Sequence, residues 1–406
     1  MPQRRLWLLL PLVMALLASW RLLSSHLSLG NSISVMVEEI GRDDARDSVR
    51  AADAINQIKT LFERYNPGSE LRWQLVPSAQ LQERLRFQHL RGLGPDLVLV
   101  LDTDLLKLQQ QGWIRPVRLK SWERNQIRPV LQQSLESNGE ALGVPQFLFT
   151  RVACFNRSVL PQPPQDLDGL IELGKQGIPV GLHSSLSELW WLFSSFTPAE
   201  DNTSVHAPTT PELPSVLAFL RWLRLANLQP AIVFEADAEQ LRRGLLSGRY
   251  SWVVCPNRWL TSLQASLGAK FGQATLPSGP QGPPRPLVHL RAWAFGSQSS
   301  PRQHALARAL VQFSTNLVQQ RSLAMQLGAV LPVNPGVALP LKAYPSLALQ
   351  DQQFRRGTVL SLQQFARLEQ INGPAQPLLD AVLSGSQSPE TIAPRLQAVI
   401  QRGLGL

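Results

Sequence analysis

Acidic side chains follow two apolar runs near the start of this 406-residue chain. Glu38 comes directly after the run 33–37, and Asp102 follows the run 97–101. Open α/β sheets bind ligands beyond the carboxyl ends of their strands, so both carboxylates are candidate ligand contacts. Asp102 is equally well placed to cap the helix that follows it, and Glu38 to lie in a solvated loop.

A third group of polar and aromatic residues follows another apolar run. Asn257, Arg258 and Trp259 come after the residues 250–255, which read as a strand that Pro256 stops. The same rule about strand ends therefore selects an amide, a guanidinium and an indole. Arg151 directly precedes the strand candidate 152–155, where it could pair with a carboxylate.

The chain lacks the motifs of the common hydrolases and nucleotide-binding proteins. It contains no His-Glu-x-x-His, no Gly-x-Ser-x-Gly and no Gly-x-x-x-x-Gly-Lys-Ser/Thr, and its six His residues have no ligand spacing. A glycoside hydrolase needs two carboxylates about 5–10 Å apart, a role that Glu38 and Asp102 could fill only by coincidence. We predict no catalytic residue, no metal site and no cofactor.

Strand and helix patterns alternate along the chain. The strands are predicted at 33–37, 71–76, 97–101, 152–155, 178–182 and 250–255, and helices at 51–65, 81–90, 103–111, 213–226, 238–246 and 300–317. The residues 346–404 are predicted to be mostly helical, with breaks at Gly373-Pro374 and Ser386–Pro389. Strand-helix alternation predicts an α/β protein with parallel sheets covered on both faces.

The amino terminus reads as an export signal. Arg4 and Arg5 precede fifteen apolar residues, 6–20, and Arg21 follows them. This length fits a secretory signal better than a full membrane span of about 20 residues. We predict that residues 1–30 are a cleaved signal peptide or an uncleaved anchor, and that the rest is exported. No Cys precedes Cys154, so a lipoprotein is excluded.

The net charge of +10 does not indicate a nucleic-acid binder. Residues 240–406 carry sixteen Lys and Arg against four acidic residues, thinly spread, with no basic run longer than a pair. Nucleic-acid binders concentrate charge in a patch or arm. We predict a solvated basic surface, or one face that meets anionic lipid or an acidic partner.

The only two cysteines, Cys154 and Cys255, both fall on predicted strands. Two buried thiols are the default interpretation. A disulfide is the alternative if the strands are neighbours and the compartment is oxidising.

Several landmarks together resemble the extracellular solute-binding proteins of ABC importers, family 1, the group that includes maltose-binding proteins. The motifs that carry the resemblance are Phe62-Glu-Arg-Tyr-Asn-Pro-Gly68, Gly94-Pro-Asp-Leu-Val-Leu-Val100, Gly143-Val-Pro145 with Cys154-Phe-Asn-Arg157, Leu246-Ser-Gly-Arg-Tyr-Ser-Trp252 and Gly328-Ala-Val-Leu-Pro-Val333. Their order and spacing cover most of residues 31–335. Leu290-Arg291-Ala292 departs from the pattern, since it stands where the family often has a Gly-Gly pair.

The resemblance implies a type II periplasmic-binding-protein fold, with two interleaved lobes, a hinge and a ligand cleft. Lobe one would comprise 31–146 plus 280–325, and lobe two 147–279 plus 326–406, with crossings near 146–151 and 273–287. It further implies a periplasmic monomer that binds a sugar or glycoside without chemistry. Hinge closure would deliver this solute to permease subunits in the cytoplasmic membrane.

Aromatic platforms and planar polar groups are what a sugar site requires, because a pyranose has an apolar face and a ring of hydroxyls. The predicted ligand contacts are Glu38, Asp102, Gln146, Phe149, Trp190, Trp259 and Trp293. Trp259 matches a position where some family members stack on sugar. For each Trp, packing in the core is an equally good interpretation.

Two other functions remain open from the sequence. One is a secreted carbohydrate-active enzyme. The other is a membrane-anchored protein of the same fold that has lost ligand binding and presents a surface to a partner, which the missing Gly-Gly segment and the basic last third favour.

Overall fold

The structure, a computed structural model, describes residues 31–39, 45–198 and 211–404. The predicted export signal at 1–30 and most of the predicted loop 197–214 lie outside the described residues. None of the described helices combines the length and the hydropathy that a membrane span requires.

The larger of two main sheets is built around the amino-terminal strands. Its strands are β1 (Ser32–Glu38), β2 (Glu70–Val76), β3 (Leu97–Leu101), β4 (Ile114–Arg115), β7 (Val144–Phe149), β13 (Leu287–Gly296), β14 (Leu331–Pro332) and β15 (Thr358–Val359). The first three are parallel, as predicted, with Val35 opposite Leu97. β13 runs antiparallel between β3 and β7, which makes the sheet mixed.

Helices that belong with this sheet bury apolar faces against it. They are α1 (Ala45–Tyr65), α2 (Ser78–Leu90), α3 (Asp102–Gln110), α4 (Ser121–Arg124), α5 (Pro129–Ser134), α11 (Pro301–Thr315) and α12 (Leu317–Leu327). Ala54, Ile58 and Phe62 show why α1 forms: they recur at helical spacing and are all buried. A short hairpin, β5 (Glu136–Ser137) and β6 (Glu140–Ala141), adjoins them.

The second sheet has the order β10-β9-β11-β8-β12. Its strands are β8 (Arg151–Asn156), β9 (Val180–His183), β10 (Ile232–Glu235), β11 (Trp252–Pro256) and β12 (Phe271–Ala274). Its helices are α6 (Leu167–Lys175), α7 (Trp190–Ser194), α8 (Leu213–Asn227), α9 (Ala238–Ser247) and α10 (Leu260–Leu267). Each sheet has its own hydrophobic core, so the chain forms two lobes.

The chain passes between the lobes more than once. Thr150 alone separates β7 in the first lobe from β8 in the second, within the predicted interval 146–151. The chain returns between β12 and β13. The short strands β14 and β15 then hydrogen-bond within the larger sheet, whereas the sequence assigned all of 326–406 to lobe two. The helix α13 (Pro345–Arg356) lies between them.

The last two helices pack against the second lobe. They are α14 (Leu362–Ser384) and α15 (Pro389–Leu404), and both contact α8. The predicted break at Gly373-Pro374 is wrong, because α14 continues through Pro374 and Pro377. Buried side chains on both sides of the prolines hold the helix against α8 and α15, which outweighs the missing backbone donors. The predicted break near Ser386–Pro389 is confirmed.

Cys154 and Cys255 form a disulfide, so the default interpretation of two buried thiols is wrong. β8 and β11 are antiparallel neighbours, and the register places Cys154 opposite Val253 and Cys255 opposite Val152. The two cysteines are thus diagonal to each other, with Cα atoms 6.0 Å apart, a separation that suits a disulfide.

Candidate functional site

The two lobes turn one edge of each sheet toward the hinge. β7 ends at Phe149 and β8 begins at Arg151, so the single residue Thr150 joins the two edges. In the first lobe, β1 and β3 end at this edge and β13 begins there, since His289 is opposite Phe149. In the second lobe, β11 ends there, with Pro256 opposite Arg151. Carboxyl ends of strands from both sheets therefore meet at the hinge, the usual place for a ligand in α/β proteins.

Glu38 lies at the first-lobe edge and is fully engaged by the protein. Its carboxylate forms an ion pair with Arg291, with Oε2 and Nη2 3.3 Å apart, and each side chain is only 4% exposed. Ser78 Oγ and the Leu101 backbone N–H also donate to the carboxylate, and Arg291 donates to the Glu38 carbonyl oxygen. The predicted ligand contact is thus occupied by Arg291, the residue that stands where the family pattern often has glycine.

Asp102 is likewise used inside the first lobe. One carboxylate oxygen accepts the Leu290 backbone N–H at 2.8 Å, and the other accepts the Thr103 N–H at 2.9 Å. His289 Nδ1 lies 3.6 Å from Asp102 Oδ1. Asp102 is the first residue of α3 and buried, and it ties the start of the helix to β13; its role as a ligand contact stays a prediction.

Gln146 and Trp293 lie together, but in the core of the first lobe. The Trp293 indole N–H donates to Gln146 Oε1 at 2.9 Å, and Ser314 Oγ donates to the same oxygen at 2.9 Å. The Trp293 ring packs against Trp73, with centroids 6.0 Å apart. Trp293 is opposite Leu99, two residues further into the sheet than the pair Arg291 and Leu101, which removes it from the edge.

The remaining predicted aromatic contacts are also buried. Trp190 packs against Phe193 with ring centroids 5.6 Å apart, and Trp259 belongs to a core cluster of the second lobe. Phe149 lies at the hinge and belongs to the core of the first lobe. None of these three side chains is more than 8% exposed. Their role as ligand contacts stays a prediction, and the observed contacts are those of core residues.

The second-lobe edge carries a pair of guanidinium groups. Arg151 forms an ion pair with Glu188, with Nη2 and Oε1 2.5 Å apart. Burial disfavours the Glu188 carboxylate, but Arg151 and His183 outweigh it and the pKa of Glu188 is lowered. Arg258, two residues beyond β11, is exposed and interacts electrostatically with Arg151 and Glu188 in its own lobe and with Glu38 in the other. Arg258 therefore faces the space between the lobes.

Sequence reasoning selected Arg258 through the strand-end rule but missed Glu188. Nothing in the sequence marks Glu188, because the loop after β9 brings it to Arg151 only in three dimensions. Asn257, selected by the same rule, is buried and donates from Nδ2 to Gln350 Oε1 at 3.0 Å. Of the three residues after β11, only Arg258 presents its side chain to solvent.

Further ionisable groups surround the junction of the lobes. Burial lowers the pKa of His183, which favours the neutral imidazole. Burial, and after it the Glu38 carboxylate, raises the pKa of Asp104 to about 6. Glu369 on α14 is exposed, yet desolvation by neighbouring protein atoms, opposed by His289, raises the pKa of its carboxyl. Among the described residues, no three His, Cys, Asp or Glu side chains are grouped so as to hold a metal ion.

Comparison with known proteins gives a fold and no sequence family. No protein-family model matches the sequence, and no curated protein matches it. Solved structures do match. The maltose-binding periplasmic protein MalE from Listeria monocytogenes, in complex with maltose, superposes with a TM-score of 0.72 at 16% identity, covering 92% of this chain and 98% of that one.

The fold is that of the maltose-binding solute-binding proteins. The cyclic α-maltosyl-1,6-maltose binding protein from Arthrobacter globiformis has a TM-score of 0.72 at 15% identity, over 92% of this chain and 98% of its own. The maltose/maltodextrin-binding domain MalE from Bdellovibrio bacteriovorus, bound to maltotriose, has a TM-score of 0.68 at 18% identity, over 92% and 100%. The expected type II architecture, two lobes around a hinge, is confirmed.

Proposed function

We propose that this chain is a sugar-binding protein that takes up a sugar or glycoside in the cleft between its lobes, outside the cytoplasmic membrane. The observation that carries the proposal is the likeness over 92% of the chain to proteins whose structures hold maltose and maltotriose. Polar groups at the hinge support it, because Arg151, Glu188, Arg258 and Glu369 offer donors and acceptors for hydroxyl groups.

Binding without chemistry is the second part of the proposal. Glu38 and Asp102 are the pair that the sequence suggests for glycoside hydrolysis, and both carboxylates are buried and bonded to groups of the protein. A general acid and its partner must reach the glycosidic oxygen and the sugar ring, which these two side chains do not. Hinge closure about Thr150 would instead trap the sugar.

Delivery to an ABC importer is the third part. A solute-binding protein of this fold would dock as a monomer on permease subunits in the membrane, after export directed by residues 1–30. The disulfide supports an oxidising, extracytoplasmic location, because such bonds are rare in the cytoplasm. The lobe boundaries we propose are 31–146 plus 280–325 and 147–279 plus 326–406, apart from the strands β14 and β15.

Calorimetric titration of the full chain with neutral and acidic sugars tests the binding function. We expect at least one saccharide to bind with a Kd in the micromolar range or tighter and to reduce the radius of gyration in solution scattering. Prolonged incubation with that saccharide should leave it chemically unchanged. Absence of binding by every saccharide would overturn the proposal, and turnover into product would overturn its second part.

A matched pair of variants locates the site. Glu369→Gln removes an exposed carboxylate near the junction of the lobes, while Glu390→Gln removes an exposed carboxylate on α15 that pairs with Arg221 instead. A hydrogen bond between a carboxylate and a sugar hydroxyl contributes about 1.5–3 kcal/mol. We therefore expect Glu369→Gln to raise Kd about tenfold or more and Glu390→Gln to leave it unchanged; equal effects would place the sugar elsewhere.

A further inference from the structure

Arg258 differs from Arg151 and Arg291 in having no partner among the residues that the structure describes. Arg291 is buried against Glu38, and Arg151 is half-buried against Glu188. The Arg258 guanidinium forms no hydrogen bond and no ion pair with any residue in the part of the chain that the structure describes, and it is exposed. Two of the three cations are thus neutralised within the protein and one is left to the solvent of the cleft.

The carboxylates around Arg258 are already bonded to other arginines. Those with which it interacts electrostatically are Glu188, Glu38 and Glu239. Glu188 is held by Arg151 and Glu38 by Arg291, while Glu239 accepts from Arg242 at 2.6 Å. None of the three can turn to Arg258 without abandoning a closer partner, so none of these described carboxylates neutralises the exposed guanidinium.

The surroundings of Arg258 make an external anion favourable. Although the Arg258 side chain reaches solvent, desolvation by the surrounding protein atoms and then the charge of Arg151 lower its pKa, which means that its positive charge is disfavoured there. A ligand anion would relieve both effects, whereas a neutral hydroxyl would leave the two guanidinium charges facing each other. Arginine also presents a planar fork of donors that fits a carboxylate or a phosphate with two parallel hydrogen bonds.

We propose that the solute is an acidic saccharide, one that carries a carboxylate or a phosphate, and that Arg258 binds this anionic group. The inference rests on the proposed sugar-binding function and specifies the class of sugar. The carboxyl groups of Asp104 and Glu369 would bind hydroxyl groups of the saccharide and so set its orientation. Neither is among the main electrostatic partners of Arg258, so the neutral part of the saccharide lies on their side and the anionic group at Arg258.

The test compares acidic sugars with their neutral counterparts. Full-length protein is titrated with digalacturonate and galactobiose, with maltobionate and maltose, and with glucose 6-phosphate and glucose, at about 20 and 300 mM NaCl. We expect at least one acidic member to bind at least tenfold more tightly than its neutral counterpart, and the ratio to shrink at high salt because an exposed ion pair is screened. The uronate and phosphate arms show which anion the site prefers.

Variants of Arg258 assign the preference to this residue. Arg258→Gln should bring the acidic-to-neutral ratio close to one while changing the affinity for the neutral sugar less than threefold, and Arg258→Lys should retain part of the preference. Arg157→Gln is the matched control, since Arg157 is exposed and lies just beyond the other end of β8, at the opposite edge of the same sheet.

Three outcomes would overturn the inference. If neutral sugars bind at least as tightly as acidic ones, or if Arg258→Gln and Arg157→Gln lower the ratio equally, Arg258 is not an anion site although sugar binding stands. If no saccharide of either kind binds, the proposed function fails with it.

Discussion

The two sheet edges that face each other across the hinge differ in whether their charged side chains are buried and paired. At the first-lobe edge, Glu38 and Arg291 are buried and satisfy each other, together with backbone groups of Leu101 and Glu38 itself. At the second-lobe edge, Arg151 is paired with Glu188 but Arg258 next to it is exposed and unpaired with any described residue. The first-lobe edge is therefore a closed unit, in which Glu38 and Arg291 neutralise each other. The second-lobe edge has one open position, Arg258, whose charge no described residue neutralises.

This contrast shows why position at a strand end does not by itself make a ligand contact. Glu38, Asp102 and Arg258 all lie at carboxyl ends of strands, yet the carboxylates of Glu38 and Asp102 are bonded to other groups of the protein. The difference lies in β13, which runs antiparallel beside β3 and brings Arg291 and the Leu290 N–H to the two carboxylates. In the second sheet the antiparallel strand beside β11 is β8, and its first residue, Arg151, pairs with Glu188, which leaves Arg258 without a partner among the described residues.

The largest expected effect on stability comes from breaking the buried ion pair between Glu38 and Arg291. Glu38→Ala leaves the Arg291 guanidinium buried without its counter-ion, and we expect it to lower the free energy of unfolding by about 3–5 kcal/mol, measured by urea denaturation. Glu140→Ala, which removes an exposed pair with Arg118, is the control and should cost nothing measurable. Equal behaviour of the two variants would show that the Glu38–Arg291 pair is not structural.

A smaller effect is expected at Asp104, the acid at the first-lobe edge whose pKa is raised to about 6 from its usual 3.8. The folded state holds the Asp104 proton more tightly than the unfolded chain does, so stability falls as pH rises from about 4 to 6 and is then constant. Asp104→Asn removes this loss. Allowing for partial exposure, the variant should be about 1–2 kcal/mol more stable than the parent at pH 7.5.

The same comparison at pH 3.5 supplies the check on Asp104. There the parent is largely protonated in the folded state, and the gain should nearly vanish. Asp53→Asn, at an exposed position of α1, should show no pH-dependent gain. A gain of equal size at both pH values would mean that Asp104 acts through something other than its charge.

The smallest effect on stability should come from replacing Arg258 at the second-lobe edge. Arg258→Gln removes a side chain that bonds to no described residue, so we expect the free energy of unfolding to change by less than about 0.5 kcal/mol. Thermal and urea denaturation without sugar measure this. A loss above about 2 kcal/mol would show that the second-lobe edge is as closed as the first, and the contrast between the edges would disappear.

The sequence predicted best those elements whose residues show one uninterrupted pattern, such as a wholly apolar run. The run 97–101 is wholly apolar and corresponds to β3, and Asp102 marks the start of α3 as expected. β13 was missed because His289 and Arg291 interrupt its apolar run. Both polar residues lie at the end of β13 that borders the cleft. The residues that break the apolar pattern of the strand are therefore the ones that contact Asp102 and Glu38.

The candidate site was less predictable than the fold, because burial is a tertiary property. Trp190, Trp259 and Trp293 are suitable for stacking by type, and the sequence cannot tell a ring in a core from a ring in a cleft. The Cys154–Cys255 bond depends on a diagonal relation across β8 and β11 that only the register reveals. Arg258 was selected by the same strand-end rule as Glu38, Asp102 and Asn257, and its exposure, which the other three lack, is visible only in the structure.

The long helix α14 acts as a mechanical link across the hinge. Near its start, Phe365 stacks on His289 of the first lobe, with centroids 5.0 Å apart, and about two turns further on, Asn372 exchanges hydrogen bonds with Ser187 of the second lobe. Pro374 and Pro377 remove two backbone donors just beyond Asn372, which makes the helix easiest to bend there. Separating the lobes must therefore slide Phe365 off the imidazole or flex α14, so part of the work of opening is done at α14 and not by rotation at Thr150 alone.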